Sequence, residues 1–197
     1  MKLALATSAL VLALAQSAMA QDGAYFGLGL AVTDNTTDSS VVPGFEASSN
    51  DVGLALTAGY RFASAGALAY GVEGNLDLMS GNEMSDGGTD ACTGSSPTWC
   101  EVDAILRLRG TLTTDLSGGG RLTGSLGAVL VRGLVESGPG NNVNATGNGL
   151  SLGVAWENLG GGLPVRVDVN YDAIRDDNVT EYERSMDMLG IRVSYMF

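Results

Sequence analysis

The sequence predicts an all-β fold: an eight-stranded antiparallel up-and-down barrel that crosses a membrane. Three observations predict it. Eight segments alternate apolar residues with small, polar or charged ones, and the connections between them are long and short in strict turn. The large aromatics gather at the segment ends beside the short connections. Alternation with period two places the two residue sets on opposite faces of a strand. Eight such segments in phase suit a closed sheet with lipid outside and a polar interior.

Residues 1–20 read as a secretory signal peptide, with Lys2 before the apolar run Leu3 to Leu14 and a small-residue site at Ala18-Met19-Ala20. Residues 21–197 then form one domain. Its first segment, Ala24 to Thr33, sets Phe26, Leu28, Leu30 and Val32 against Tyr25, Gly27, Gly29 and Ala31. A polar connection runs from Asp34 to about Asp51. The second segment, Val52 to Phe62, sets Val52, Leu54, Leu56, Ala58, Tyr60 and Phe62 against Gly53, Ala55, Thr57, Gly59 and Arg61. After four residues the third sets Leu68, Tyr70, Val72, Leu76 and Leu78 against Gly71, Glu73, Asn75 and Asp77.

The long connection Ser80 to Trp99 leads to a fourth segment, with Val102, Ala104, Leu106, Leu108 and Leu112 opposite Asp103, Arg107, Arg109 and Thr111. A tight turn at Asp115 to Gly120 starts the fifth, with Leu122, Leu126, Ala128 and Leu130 on its apolar face. Ser137 to Gly147 is the third polar loop. The sixth segment sets Leu150, Leu152, Val154 and Trp156 against Ser151, Gly153, Ala155 and Glu157. The seventh sets Val165, Val167, Val169 and Tyr171 against Arg166, Asp168, Asn170 and Asp172, and a polar loop from Arg175 to Ser185 follows it.

The eighth segment closes the chain. Leu189, Ile191, Val193, Tyr195 and Phe197 alternate with Gly190, Arg192, Ser194 and Met196. An apolar strand ending in a free terminus is hazardous in a soluble sheet but not in a closed, lipid-covered one. With its terminal Phe and an aromatic two residues earlier, this strand resembles the closing strand of bacterial outer-membrane barrels. The chain as a whole resembles the small eight-stranded barrels of the opacity-protein and OmpA type. The resemblance implies that Leu189, Ile191, Val193, Tyr195 and Phe197 are the signal read by the barrel assembly machinery. It also implies export through the periplasm to the bacterial outer membrane, both termini on the periplasmic side, and four long loops outside.

The aromatics Phe26, Tyr60, Phe62, Tyr70, Trp156, Tyr195 and Phe197 then form one interfacial girdle. The charged face points inward, because an arginine facing mid-membrane lipid costs about 2–4 kcal/mol. Glu73, Asp77, Asp103, Arg107, Arg109, Arg166, Asp168 and Arg192 are therefore expected to form an ion-pair network across the lumen. An eight-stranded barrel is only just wide enough for side chains to fill, which favours a plug. Inward glycines such as Gly59 and Gly153 leave volume that favours a narrow conduit for ions or small solutes.

Beyond Lys2 the basic residues are nine arginines, against 22 acidic residues. That balance excludes a phosphate-neutralising, nucleic-acid-binding surface. No histidine is present, which removes the usual general base and argues against an enzyme. No cofactor or metal is implied. Cys92 and Cys100, in an exported chain, predict a disulfide stapling the second loop; without histidine they make an incomplete zinc site. Trp99 beside the staple is expected to be held outward. Together with Val41, Val42 and Phe45 of the first loop it is a candidate contact residue. The first, second and fourth loops are acidic, with Asp34, Asp38, Glu46 and Asp51 in the first, and carboxylates there suit divalent bridging to lipopolysaccharide. The expected role is structural and interactive, covering envelope integrity and adhesion to an extracellular ligand or host surface. The chain is expected to act as a monomer among outer-membrane lipid and lipopolysaccharide, with a narrow porin-like channel as the alternative.

Overall fold

The structure, a computed structural model, describes residues 23–39, 44–62, 68–92, 98–136, 142–158, 163–176 and 184–197. The expected signal peptide and the contact candidates Val41 and Val42 lie outside the described residues. Eight long strands make the wall: β1 (Gly23–Ser39), β2 (Glu46–Arg61), β3 (Leu68–Met79), β6 (Trp99–Leu116), β7 (Gly120–Glu136), β8 (Asn142–Asn158), β9 (Val165–Asp176) and β10 (Arg184–Met196). Two short pieces, β4 (Ser85–Asp86) and β5 (Thr89–Asp90), pair with each other, and β4 also pairs with β2 at Ser48. Each long strand is antiparallel to its neighbours in sequence. β10 pairs with β1 from Gly27↔Met196 to Ser39↔Arg184, so the sheet closes with no free edge.

The wall's two faces follow the alternation. Leu28, Leu54, Leu108, Leu126, Leu150 and Ile191 are exposed outward, whereas Ala31, Thr57, Arg107, Ser125, Ser151 and Arg192 are buried inward. An outer wall of contiguous exposed Leu, Val, Ile and aromatic side chains is far larger than any apolar patch water tolerates. It is the surface of a membrane-spanning barrel. Tyr60, Phe62 and Tyr70 stack in a row at the terminus-bearing end, with ring centroids 5.3 and 5.6 Å apart, and Tyr195 lies 5.0 Å from Phe197. The tight β6–β7 turn rests on Gly118 and Gly119, both at positive φ (119° and 83°).

The strands are longer than the sequence predicts. β1 runs 17 residues and β2 runs 16, against about 9–11 needed to cross a bilayer. The supposed first loop is largely strand: Asp34 pairs with Asn50 and Asp38 with Glu46. Here both faces are polar, because the outward one has left the lipid, so the hydropathy contrast vanishes while the pairing continues. One stretch also changes phase. β6 carries register shifts between Trp99 and Glu101 and between Val102 and Ala104. A bulge puts an extra residue in one strand and turns the side chains beyond it to the other face. Val102, expected outside, is therefore fully buried.

Candidate functional site: a bore closed twice

The inward face places arginines and carboxylates on facing strands, and the structure pairs them in two linked groups. Glu73 on β3 accepts from Arg109 Nη2 at 3.0 Å and from Arg166 Nη1 at 2.6 Å, and Tyr25 donates to it at 2.8 Å. Arg166 also holds Asp168 at 2.7 Å. In the second group Asp77 bridges Arg107 and Arg192, the latter at 2.9 Å. Arg107 forks onto both oxygens of Asp172, with Nη2–Oδ2 at 2.6 Å. Arg109 joins the groups through Asn75, to which it donates at 2.6 Å and which donates at 3.1 Å to Thr57, where Arg192 also donates at 3.0 Å; Arg109 donates to Asn170 as well. Nearest the termini, Arg61 pairs with Glu157 at 2.6 Å and stacks 4.1 Å above the Tyr25 ring.

Five arginines (Arg61, Arg107, Arg109, Arg166 and Arg192) thus meet five carboxylates (Glu73, Asp77, Glu157, Asp168 and Asp172), all buried. The layer is charge-balanced. Buried charges of this kind are tolerated because bidentate forks and extra donors replace the lost hydration. The inward glycines do not leave the expected volume. The Tyr25 ring lies against Gly59, and a side chain at Gly153 would run into Arg109, Asn170 and Ser125.

Above this layer the β6–β10 side of the bore becomes apolar, while β1 and β2 turn Asn35, Thr37, Ser49 and Asp51 inward. Val102 and Ile105 of β6, Val129, Val131 and Val135 of β7, Ile174 of β9, and Met186 and Met188 of β10 form one buried cluster. The described part of the second loop packs into it through Met84, Ala91 and Cys92, joined by Trp99 and Cys100 at the start of β6. Cys92 and Cys100 are disulfide-bonded, with Cα atoms 5.1 Å apart. Backbone bonds anchor the loop at 2.8 Å (Met84 N to Cys100 O) and 3.0 Å (Glu136 N to Thr98 O). The fully buried Asp51 carboxylate fastens its start, accepting from Asn35 Nδ2, Ser49 Oγ, Ser80 Oγ and the Asn82 amide at 2.7–3.0 Å.

Trp99 is therefore not the outward contact residue the sequence suggests. It is 0% exposed, and its indole reaches past β7 to Gly147 of β8, where a Cβ would lie 2.8 Å from Cζ2. Phe45 is partly buried against the same cluster. Asp103 also departs from expectation. It is the residue skipped in the second register shift, is half-buried rather than enclosed in the lumen, and takes no part in the ion pairs among the described residues. It lies beside Glu101, whose carboxyl is pushed above its ordinary range by partial burial and then by the Asp103 carboxylate. Arg61, Glu157 and Asp172 are network members that the site prediction omits, although the phase of alternation already turns them inward.

A buried Trp99 makes an optical prediction. The chain has two tryptophans, and Trp156 is exposed on the outer wall. In a Trp156→Phe variant, the remaining emission is expected to resist both aqueous acrylamide and brominated lipid. Quenching by acrylamide as strong as that of free tryptophan would put Trp99 outside.

No protein-family model and no curated protein matches the chain. Solved structures do match its fold. Ail, the attachment invasion locus protein of Yersinia pestis, superimposes with a TM-score of 0.52 at 14% identity, over 90% of this chain and 100% of Ail. The outer membrane protein OprG from Pseudomonas aeruginosa gives 0.50 at 14% identity, over 92% of this chain and 99% of OprG. The chain has the closed eight-stranded fold of outer-membrane barrels, and its apolar outer wall places it in a bilayer.

Proposed function

We propose that this chain is a closed, non-enzymatic barrel of a bacterial outer membrane that acts through its outer surface, in envelope integrity and surface attachment. The observation that carries this reading is the double closure of the bore, by a charge-balanced ion-pair layer and by a packed roof. A conduit for ions needs a continuous wet path, whereas Val, Ile, Met and Trp side chains fill one side of the roof and the inward polar groups of the other side, Asn35, Thr37, Ser49 and Asp51, are bonded to one another, to Thr98 and to Ser80. The absence of histidine from the sequence supports the non-enzymatic part, since general-base catalysis would fall to carboxylates, and Glu73, Asp77, Asp168 and Asp172 in the bore are bound to arginines.

The strands that rise past the lipid belt carry exposed Asp34, Asp38 and Glu46 outward, and Glu83 stands exposed on the loop above. In this reading that acidic crown faces the outside. It meets lipopolysaccharide phosphates through divalent cations and is the surface offered to an extracellular partner. Ail is by name an attachment protein, and a rigid barrel lifting its strand ends clear of the lipid suits such a role. The closing strand, from Leu189 to Phe197, is the segment proposed to be read by the assembly machinery.

Conductance tests the reading. The refolded protein, its folding verified by heat-modifiable gel mobility, is expected to leave a planar bilayer silent in molar potassium chloride. Steady single-channel steps would overturn the closed-barrel assignment and make the lumen the working site.

A further inference from the structure

The outer wall is not uniformly ridged. Along one cross-strand row, Phe26 of β1 stands opposite Ala58 of β2, and Ala58 opposite Gly74 of β3. Two residues along each strand, one neighbouring row carries Leu56 and Leu76, and the other carries Tyr60 and Val72. These flanking rows are about 13 Å apart at the backbone, from the roughly 3.3 Å rise per strand residue. Between the Leu56 and Leu76 row and the rings of Phe26 and Phe197, the small residues Ala58 and Gly74 leave a groove of about 490 Å³, with Leu28 and Leu106 also in its lining.

Glycine inside a strand weakens it and commonly marks a close backbone approach. Gly74 serves no such approach: a Cβ there would come no nearer than 3.8 Å to the Ala58 carbonyl and 3.9 Å to that of Arg107. The gap is therefore open outward. Thr57 and Asn75 border it, but their polar groups bond to each other at 3.1 Å and to Arg192 and Arg109 inside the barrel.

We infer that this groove is a fixed binding site for one acyl chain of a diacyl phospholipid. The groove is continuous with the lipid-covered wall, so hydrocarbon is what reaches it, and the row Leu28, Leu56, Leu76 and Leu106 with Phe26 and Phe197 gives one chain a wall to lie against. It lies toward the end that bears Phe26, Tyr60 and Phe197, which in the orientation proposed above is the periplasmic, phospholipid leaflet. The exposed arginines with described side chains, Arg132 and Arg175, lie toward the opposite end of the wall. The site therefore selects the chain and not the headgroup.

The test uses the refolded protein in nanodiscs containing phosphatidylethanolamine, phosphatidylglycerol and lipid A, released into mild detergent for native mass spectrometry. The unmodified protein is expected to retain one phospholipid, with the two headgroups in the ratio supplied. Gly74→Phe and, from the neighbouring strand, Ala58→Leu are each expected to lose it. Gly124→Phe is expected to keep it, since Gly124 is also exposed and a Cβ there meets nothing within 4 Å, but it sits on β7 outside the groove. Undiminished retention by whichever groove-filling variant folds, equal loss from Gly124→Phe, or retention of lipid A in place of phospholipid would overturn the site. A strong headgroup preference would do the same.

Discussion

Arg107→Ala is expected to lower the unfolding free energy of the barrel by about 3–5 kcal/mol, the cost of breaking a buried ion pair from one side. Arg107 donates to Asp172 through Nε and Nη2, at 2.6–3.1 Å, and its Nη1 reaches Asp77. Asp77 keeps Arg192 as a partner. Asp172 has no second arginine among the described ion pairs, so its carboxylate is left charged in a site where water is scarce. Urea unfolding in lipid vesicles measures the loss. Arg107→Lys should recover part of it, because a point charge replaces the charge but not the fork. The pair Arg107→Ala with Asp172→Asn should cost less than the sum of the two singles. A loss below about 1 kcal/mol, the range of an exposed pair, would mean that the layer is hydrated and exchangeable.

Trp99→Ala is expected to have an effect of similar size, about 3–5 kcal/mol, by leaving a cavity where the indole packs. It also separates the two closures. The single substitution opens the roof but leaves the charged layer intact, and Arg107→Ala alone thins that layer beneath an intact roof. Each single variant should stay silent in a planar bilayer, whereas the double variant should show cation-conducting events through a lumen left with unpaired carboxylates. Conduction by Arg107→Ala alone would show that the roof does not seal the mouth.

Much of this fold is written in the sequence, because a barrel strand's residues answer to two solvents in turn. Wherever one face met lipid, as with Leu54 and Leu56 against Ala55 and Thr57, the alternation was unambiguous and the inward set followed. Glu73, Asp77, Arg107, Arg109, Arg166 and Arg192 were turned inward by phase alone. Their partners were not legible. Choosing Asp172 for Arg107, or Glu73 for Arg166 93 residues away, depends on strand stagger around the closed sheet, which no local pattern records. The strand extensions past the lipid, Asp34 to Ser39 and Glu46 to Asp51, read as loop because both faces are polar there. The true inward members, Asn35, Thr37, Ser49 and Asp51, differ little in hydropathy from the outward ones.

The sequence by itself determined the strand number, the inside and outside of the wall and the closing strand, since period-two burial against lipid is a local property. Only the tertiary structure decided how the bore is filled. Two bulge-type register shifts in β6 turn Val102 inward and set Asp103 aside from the network, and the stapled loop folds back so that Trp99 fills the mouth. Both depend on what the rest of the barrel presents to the lumen: a bulge changes phase without changing composition, and an indole packs inward only where Gly147 of β8 makes room for it.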